Sequence, residues 1–216
     1  MVMKLYTYFR SSAAYRVRIA LAIKGLTPEM IPVHLLRGGG EQKRPEYLAL
    51  NPQGLVPALD DEGHFITQSL AICEYLEQVC PLPVLLPADA VARARVRSIV
   101  LAIACEIHPL NNLRVLNYLT GTLGLSDEQK RTWYHHWIAL GFGALEHQLS
   151  HEAATGVYCH GDTLTLADVF LVPQMANARR FDLDLSPYPT LLRIDASCRE
   201  LPAFISAAPQ NQPDAE

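Results

Sequence analysis

Residues 8–25, YFRSSAAYRVRIALAIKG, decide how the first third of this chain is read. Just upstream, residues 3–9 are rich in aromatics and end at a serine pair, which suits a short strand. From residue 12 the period changes: Tyr15, Ile19 and Ile23 recur at helical spacing, and Gly25 stands where a helix stops. The stretch therefore predicts a strand that becomes a helix at Ser11 and Ser12. A helix N-terminus carries unpaired N–H groups and about half a positive charge, so the serines either cap the helix or hold an anion at its end. A serine hydroxyl there can favour a thiolate over a thiol.

Working outward, EMIPVHLL reads as a second strand, PEYLALN as a short helix, and VPALDDEGHFITQ as two strands around the Asp61-Glu62-Gly63 turn. Ser69 then stands where it can cap a helix running to about Cys80. The predicted order is βαβ followed by ββα. PLPVLLPAD, residues 81–89, holds three prolines and breaks every periodicity, as an interdomain linker does. Beyond it the chain reads as helical: a long helix from ARARV onward interrupted at Pro109, a second over SDEQKRTWYHHWIALGFGALEHQLS, and a third opening at LTLAD behind a capping signal. The expected fold class is α/β plus all-α, with residues 1–82 an α/β domain, 83–90 a linker and 91–216 an all-helical domain.

Composition sets the partners. With 216 residues, 50% hydrophobic and 19% charged, the chain can bury substantial cores and disorder is excluded as its organising principle. A net charge of −4 and no run of five like charges leave no footprint for nucleic acid or an anionic membrane. A small molecule or a second copy of the chain is the expected partner. The five cysteines form no C-x-x-C pair, and their odd number argues against a disulfide framework, so they read as reduced thiols. MVMKLYTYFR reaches an arginine before an apolar signal core can form, and no apolar run approaches the ~18 residues of a membrane span. Both point to the cytoplasm.

Two further segments bear on what the serines hold. A cis Val56-Pro57 bond in NPQGLVPALDD would leave the backbone of Val56 open to an extended peptide-like ligand. Gln68 and Ser69, at the start of another helix, offer a place for a carboxylate. A thiolate site, a backbone ladder and a carboxylate site together describe a receptacle for a thiol peptide. In the helical half, His108, Asn111, Asn112 and Arg114 are costly to bury unless they line a wet site, although His108 could equally be a satisfied core histidine. On a regular helix the two asparagines share the face of His108.

Other features read as structure. Thr165 and Asp168 match a capping box, and Trp133 with Trp137 reads as helix packing. His147 and His151 share a helix face but have no third metal ligand nearby, and RGGGEQ lacks the Lys-Ser/Thr of a P-loop and reads as a mobile loop.

The ordered series YFRSSAAYRVRIALAIKG, LNPQGLVPAL, TQSLAICEYLE, IHPLNNLRVLNYL, GDTLTLADVFLVPQMANARRF and QPDAE resembles the zeta class of glutathione transferases nearly end to end. The resemblance implies a thioredoxin-like N-terminal domain, a helical C-terminal domain, glutathione as cofactor and a homodimer. It gives Ser11 and Ser12 to the glutathione sulfur, Gln42 and Val56 to the peptide, and Gln68 and Ser69 to the γ-glutamyl end; His108 and Asn112, which the kink at Pro109 can present to the bound peptide, read as further glutathione contacts. Arg10, Arg114 and Arg180 become carboxylate clamps for the substrate, with Arg179 the alternative to its neighbour, and Arg10 joins the serines as a catalytic candidate. The implied reaction is the cis–trans isomerisation of a dicarboxylic enone, maleylacetoacetate to fumarylacetoacetate, in tyrosine and phenylalanine catabolism. Isomerisation of maleylpyruvate in gentisate breakdown and transfer of glutathione to α-halo acids are the kindred alternatives. One departure matters: the class often writes Ser-Ser-Cys, and Ala13 stands at the third position here, so the nucleophile must be glutathione's own thiolate.

Overall fold

A computed structural model describes residues 3–216, which form two compact units: the residues up to Val84 together with Glu200–Glu216, and Leu85–Arg199. In the first, β1 (Lys4–Thr7) leads through α1 (Ser12–Ile23) to β2 (Glu29–Pro32), parallel to β1 as a crossover connection requires. After the short α2 (Pro45–Leu48) come β3 (Ala58–Asp61), β4 (His64–Thr67) and α3 (Ser69–Val79). The order across the sheet is β2-β1-β3-β4, with β3 antiparallel to both neighbours, a mixed four-stranded sheet of thioredoxin-like kind. The β3–β4 turn uses Glu62 at φ 53° and Gly63 at φ 88°, the left-handed backbone that glycine adopts without steric cost.

β2 is shorter than EMIPVHLL suggested. Val33 N–H still reaches Thr7 O at 2.7 Å, but His34 Nδ1 then accepts the N–H groups of Leu36 and Arg37 and curls the chain away from the ladder. The following RGGGEQ segment is built from two short 3-10 turns, Arg37–Gly39 and Glu41–Lys43.

Nine of the twelve residues of α1 are buried, because it packs against α3 and against α9 (Pro202–Ala207). The core joins Leu5 and Leu59 of the sheet to Val17, Ile19, Ile72 and Leu76 of the helices. Lys24, just past α1, is buried against Glu77 at 2.5 Å and donates to the carbonyls of Cys80 and Pro83, which fixes the start of the proline-rich segment.

The second unit contains α4 (Ala90–Leu101), α5 (Leu113–Gly121), α6 (Asp127–His151), α7 (Leu166–Arg180) and α8 (Pro189–Arg199). α7 is its centre, buried over most of its length, with α4 and α8 packed on it. Ser126 and Gln129 form a capping box at α6, and Thr165 and Asp168 form the expected one at α7. The break in the first long helix begins well before Pro109: a π-helical stretch, Ala102–Ile107, follows α4, and a 3-10 turn, Pro109–Asn111, precedes α5. No helix among the described residues is long and apolar enough to cross a membrane.

The observed division differs from the expected 1–82, 83–90 and 91–216 at two places. Leu85 already belongs to the helical unit, its carbonyl accepting Leu166 N–H at 2.9 Å. Glu200–Glu216 belongs with the sheet, because α9 packs on α1. Periodicity reveals that a segment is helical; it does not reveal which surface that helix covers.

Candidate active site

Four segments leave the sheet at one end. The register sets Tyr6 beside Ala58, Ala58 beside Thr67, and Thr7 beside Pro32. The Tyr8–Ser11 turn, the Val56-Pro57 peptide, the Gln68-Ser69 pair and the loop after Val33 therefore emerge from neighbouring points. The first unit thus brings together Arg10, Ser11, Ser12, Gln42, Val56, Gln68 and Ser69.

Ser11 is the N-cap of α1: its Oγ accepts Ala14 N–H at 3.1 Å, which leaves its O–H to donate outward. Ser12 is the first helical residue and is buried. Ser12 and Ala13 lie in the first turn, whose N–H groups have no helical carbonyl to meet, and that turn contains no acidic residue. α3 is likewise free of first-turn acid. Two positive helix ends thus face the same region with no acidic residue in the first turn of either helix.

The second of these ends differs from expectation. Gln68, not Ser69, is the N-cap of α3; its side chain makes no capping bond, and its backbone sits at φ 71° and ψ 120°. Such a conformation costs a non-glycine residue on the order of 1–3 kcal/mol and tends to gather at ligand sites. Gln68 Nε2 donates to Gln53 Oε1 at 2.8 Å, tying the pair to the preceding loop. Ser69 is the first helical residue, and its buried Oγ accepts a hydrogen bond from Arg16 Nη1 at 3.2 Å.

Val56 is buried with Tyr8, Phe9, Val33 and Tyr47, and the Val56-Pro57 bond is cis. Its backbone lies outside the ladder, whose register begins at Ala58. The preceding carbonyl, of Leu55, is held by Tyr47 Oη at 2.6 Å and Asn51 Nδ2 at 2.8 Å. Burial pushes the Tyr47 phenol up to about 12, so it stays a donor. Gln42 is buried beside this loop; Nε2 reaches Leu35 O at 3.4 Å, and Oε1 has no hydrogen-bond partner. A buried amide oxygen left unbonded costs about 1–3 kcal/mol, which a ligand donor would relieve. Arg10 is exposed, its guanidinium 4.9 Å from the centre of the Phe9 ring.

In the second unit the expected polar helix face does not form. The π turn routes His108 N–H to Ile103 O, and the 3-10 turn then buries Asn111, whose Nδ2 donates to Tyr134 O at 3.2 Å. Asn112 becomes the N-cap of α5, accepting Arg114 N–H at 3.1 Å, while His108 is half-buried and the Arg114 side chain exposed. The neighbours Arg179 and Arg180 part company. Arg179 is bound at 2.5 Å to Asp195, a fully buried carboxylate. Arg180 is exposed, lies over the Phe181 ring at 5.1 Å, and lines a cavity of about 340 Å³ with Asp127, Lys130, Arg131 and Tyr134. Trp133 and Trp137 pack edge to face at 5.6 Å, and the stacked rings of His147 and His151 lie on the exposed surface of α6.

Sequence reasoning passed over Arg16 and Arg18. Both are almost wholly buried inside α1. Their signal was present in YRVRIALA, where two arginines interrupt an otherwise apolar helix and a buried guanidinium must find acceptors.

A model of the glutathione S-transferase N-terminal domain matches residues 1–78. The chain is 56% identical to a probable maleylacetoacetate isomerase of Vibrio cholerae, over 98% of this chain and 97% of that one. It superposes with a TM-score of 0.96 on the holo structure of a bacterial zeta-class maleylpyruvate isomerase, 48% identical, covering 99% of this chain and 100% of the other. A maleylacetoacetate isomerase from Anaeromyxobacter dehalogenans, solved with dicarboxyethyl glutathione and citrate in its active site, is 42% identical with a TM-score of 0.87, covering 100% of this chain and 94% of its own.

Proposed function

This chain belongs to the glutathione transferase family, in its zeta class, and we propose that it is a glutathione-dependent maleylacetoacetate isomerase. The observation that carries the reading is the acid-free N-terminus of α1, at the sheet end where the Val56 backbone and the Gln68-Ser69 pair also emerge. The donor set there fits a thiol peptide. First-turn N–H groups and the Ser11 hydroxyl favour an ionised sulfur, the Val56 backbone offers a ladder, and the α3 terminus with Ser69, backed by Arg16, offers donors to a carboxylate.

Glutathione, when bound, supplies a thiolate whose reversible addition makes a cis double bond rotatable. Ser11 donates to the sulfur, and Ser12 and Ala13 direct their N–H groups at it. With Ala13 in the turn, no protein thiol competes for this role. Gln42 completes the peptide contacts, and His108 and Asn112 are the further candidates for glutathione contacts. Arg10, Arg114 and Arg180 hold the substrate's carboxylates as planar donor forks. Arg180 is preferred over Arg179 because the latter is committed to Asp195. The protein works as a homodimer in the cytoplasm, a compartment whose reducing state suits five unpaired cysteines.

Mixing the chain with maleylacetoacetate, with and without glutathione, tests the reading: an unchanged substrate spectrum in both cases sinks it. The likeness to a maleylpyruvate isomerase favours that substrate as the second reading, and side-by-side kcat/KM values decide between the two. Net consumption of thiol during turnover would instead mark a transferase acting on α-halo acids.

A further inference from the structure

The turn between β1 and α1 is not self-supporting. Besides the local bond from Ser11 N–H to Tyr8 O at 2.9 Å, its backbone polar groups are met by two side chains distant in sequence or set inside the helix. Arg18, buried in α1, donates Nη1 to Thr7 Oγ1 at 3.1 Å and Tyr8 O at 3.3 Å, and Nη2 to Phe9 O at 3.0 Å. Phe9 N–H is taken by Asp214 Oδ2 at 3.0 Å, across 205 residues of chain.

The same C-terminal segment holds Arg18 itself. Arg18 Nε donates to Ala207 O at 3.0 Å, and Tyr15 Oη to Phe204 O at 3.2 Å. Burial lowers the Arg18 guanidinium to about 10, opposed by the charge of Asp214, so it remains a cation at neutral pH. Two residues beyond Asp214, the Glu216 carboxylate meets the Arg37 guanidinium and lies 3.5 Å from His34 Nε2. Arg37 and His34 begin the loop that carries Gln42.

We propose that Arg18 and Asp214 are positioning residues, a charged latch through which the segment Pro202–Glu216 sets the turn that presents Ser11 and the first N–H groups of α1 to the cofactor's sulfur, with Glu216 steadying the Gln42 loop. The proposal deepens the reading above and rests on it for the identity of the cofactor. The physical reason is directional: a helix end stabilises a thiolate only while its N–H groups and the serine O–H point at one spot. The carbonyls of Tyr8 and Phe9 fix where that spot lies.

Hydrogen–deuterium exchange on the full chain tests the latch without any ligand. In Asp214→Ala the amides of Phe9, Ser11 and Ala14, which are hydrogen-bonded in the free chain, exchange about ten- to a hundredfold faster, the loss expected for one charge-assisted hydrogen bond. Asp214→Asn, isosteric and still an acceptor, restores most of the protection. In parallel, calorimetry shows glutathione binding weakened about tenfold or more in Asp214→Ala. The thiol pKa of bound glutathione, followed by thiolate absorbance, moves up and is partly restored in Asp214→Asn. Unchanged exchange at these amides overturns the latch, as does faster exchange spread over the whole chain with an unchanged bound-thiol pKa. If the unaltered chain binds no glutathione, the cofactor reading fails by itself, and the exchange rates still decide the latch.

Discussion

Two helix starts in this molecule carry nearly the same sequence signal and do opposite things. α7 begins behind Thr165, and the carboxylate of Asp168 turns back to accept Thr165 N–H at 2.8 Å, Thr165 Oγ1 at 3.0 Å and Cys159 N–H at 2.8 Å. α1 begins behind Ser11, which caps one N–H, and the turn that follows holds no acid. A helix N-terminus is an anion site in both cases. At α7 the chain supplies the anion itself, buries it and gains stability; at α1 the first turn has no acid of its own, and there we propose that a ligand supplies the anion. The lesson is that a serine or threonine before a helix says little until one asks whether a carboxylate stands three residues on.

The contrast can be broken at several points. Asp168→Ala carries the largest expected effect on folding: three buried donors lose a charged acceptor, at about 1.5–3 kcal/mol for each bond. Urea unfolding should show a loss of at least about 3 kcal/mol. A fully stable variant would mean that α7 does not depend on its internal anion.

At α1 the corresponding loss falls on chemistry. Ser11→Ala should lower kcat/KM about 10- to 100-fold by removing a charge-assisted hydrogen bond, with about 1 kcal/mol of stability lost as a cap. Ser12→Ala, which removes no capping bond, should cost less stability, and steady-state kinetics on both variants shows which hydroxyl serves the sulfur. Turnover equal to that of the unaltered chain in both Ser11→Ala and Ser12→Ala would remove the α1 hydroxyls from the site.

The adjacent arginines repeat the contrast on a smaller scale. Arg180→Ala should raise KM for a dicarboxylate about tenfold, a loss in the range of one charged hydrogen bond, and should lower the unfolding midpoint less than Arg179→Ala, because Arg180 is exposed and its partner Tyr134 is uncharged. Arg179→Ala should lower the midpoint, because Asp195 then loses its nearest cation. Burial already raises the Asp195 carboxyl above its ordinary value, with Arg179 and Arg199 opposing. Without Arg179 its folded pKa rises further above the unfolded one, so the variant's deficit is greatest at neutral pH. The deficit shrinks as acid protonates the group. The smallest effect is a labelling order: Cys73, on α3 one turn beyond Ser69, is wholly buried and its thiol is pushed up to about 12, whereas Cys105 is exposed. Alkylation of the native chain should therefore reach Cys105 and spare Cys73, since burial outweighs the pull of a nearby helix end.

Much of this layout could be read without coordinates. The changes of period at Ser12, Asp61-Glu62-Gly63 and Ser69 follow from local sterics and alternation, and they placed the βαβ and ββα pieces within a few residues. Gln68 shows the limit: its left-handed backbone carries no mark in a one-letter code, so Ser69 looked like the cap. The face expected of His108, Asn111 and Asn112 failed for the same kind of reason. A π turn beginning at Ala102 shifts everything after it, and only Pro109 was visible as a breaker.

By itself the sequence determined which segments are strand or helix, that α1 starts at a serine pair with no acid behind it, and that the chain resembles the zeta class. Those properties depend on neighbours a few positions apart. Only the tertiary structure decided that Glu200–Glu216 returns to the sheet, that Arg16 backs Ser69, that Arg18 and Asp214 hold the turn, and that Arg179 rather than Arg180 is committed to Asp195. These are pairings between groups remote along the chain. A buried charge or carbonyl accepts whichever partner the fold brings within hydrogen-bond distance, and spacing in sequence does not encode that distance.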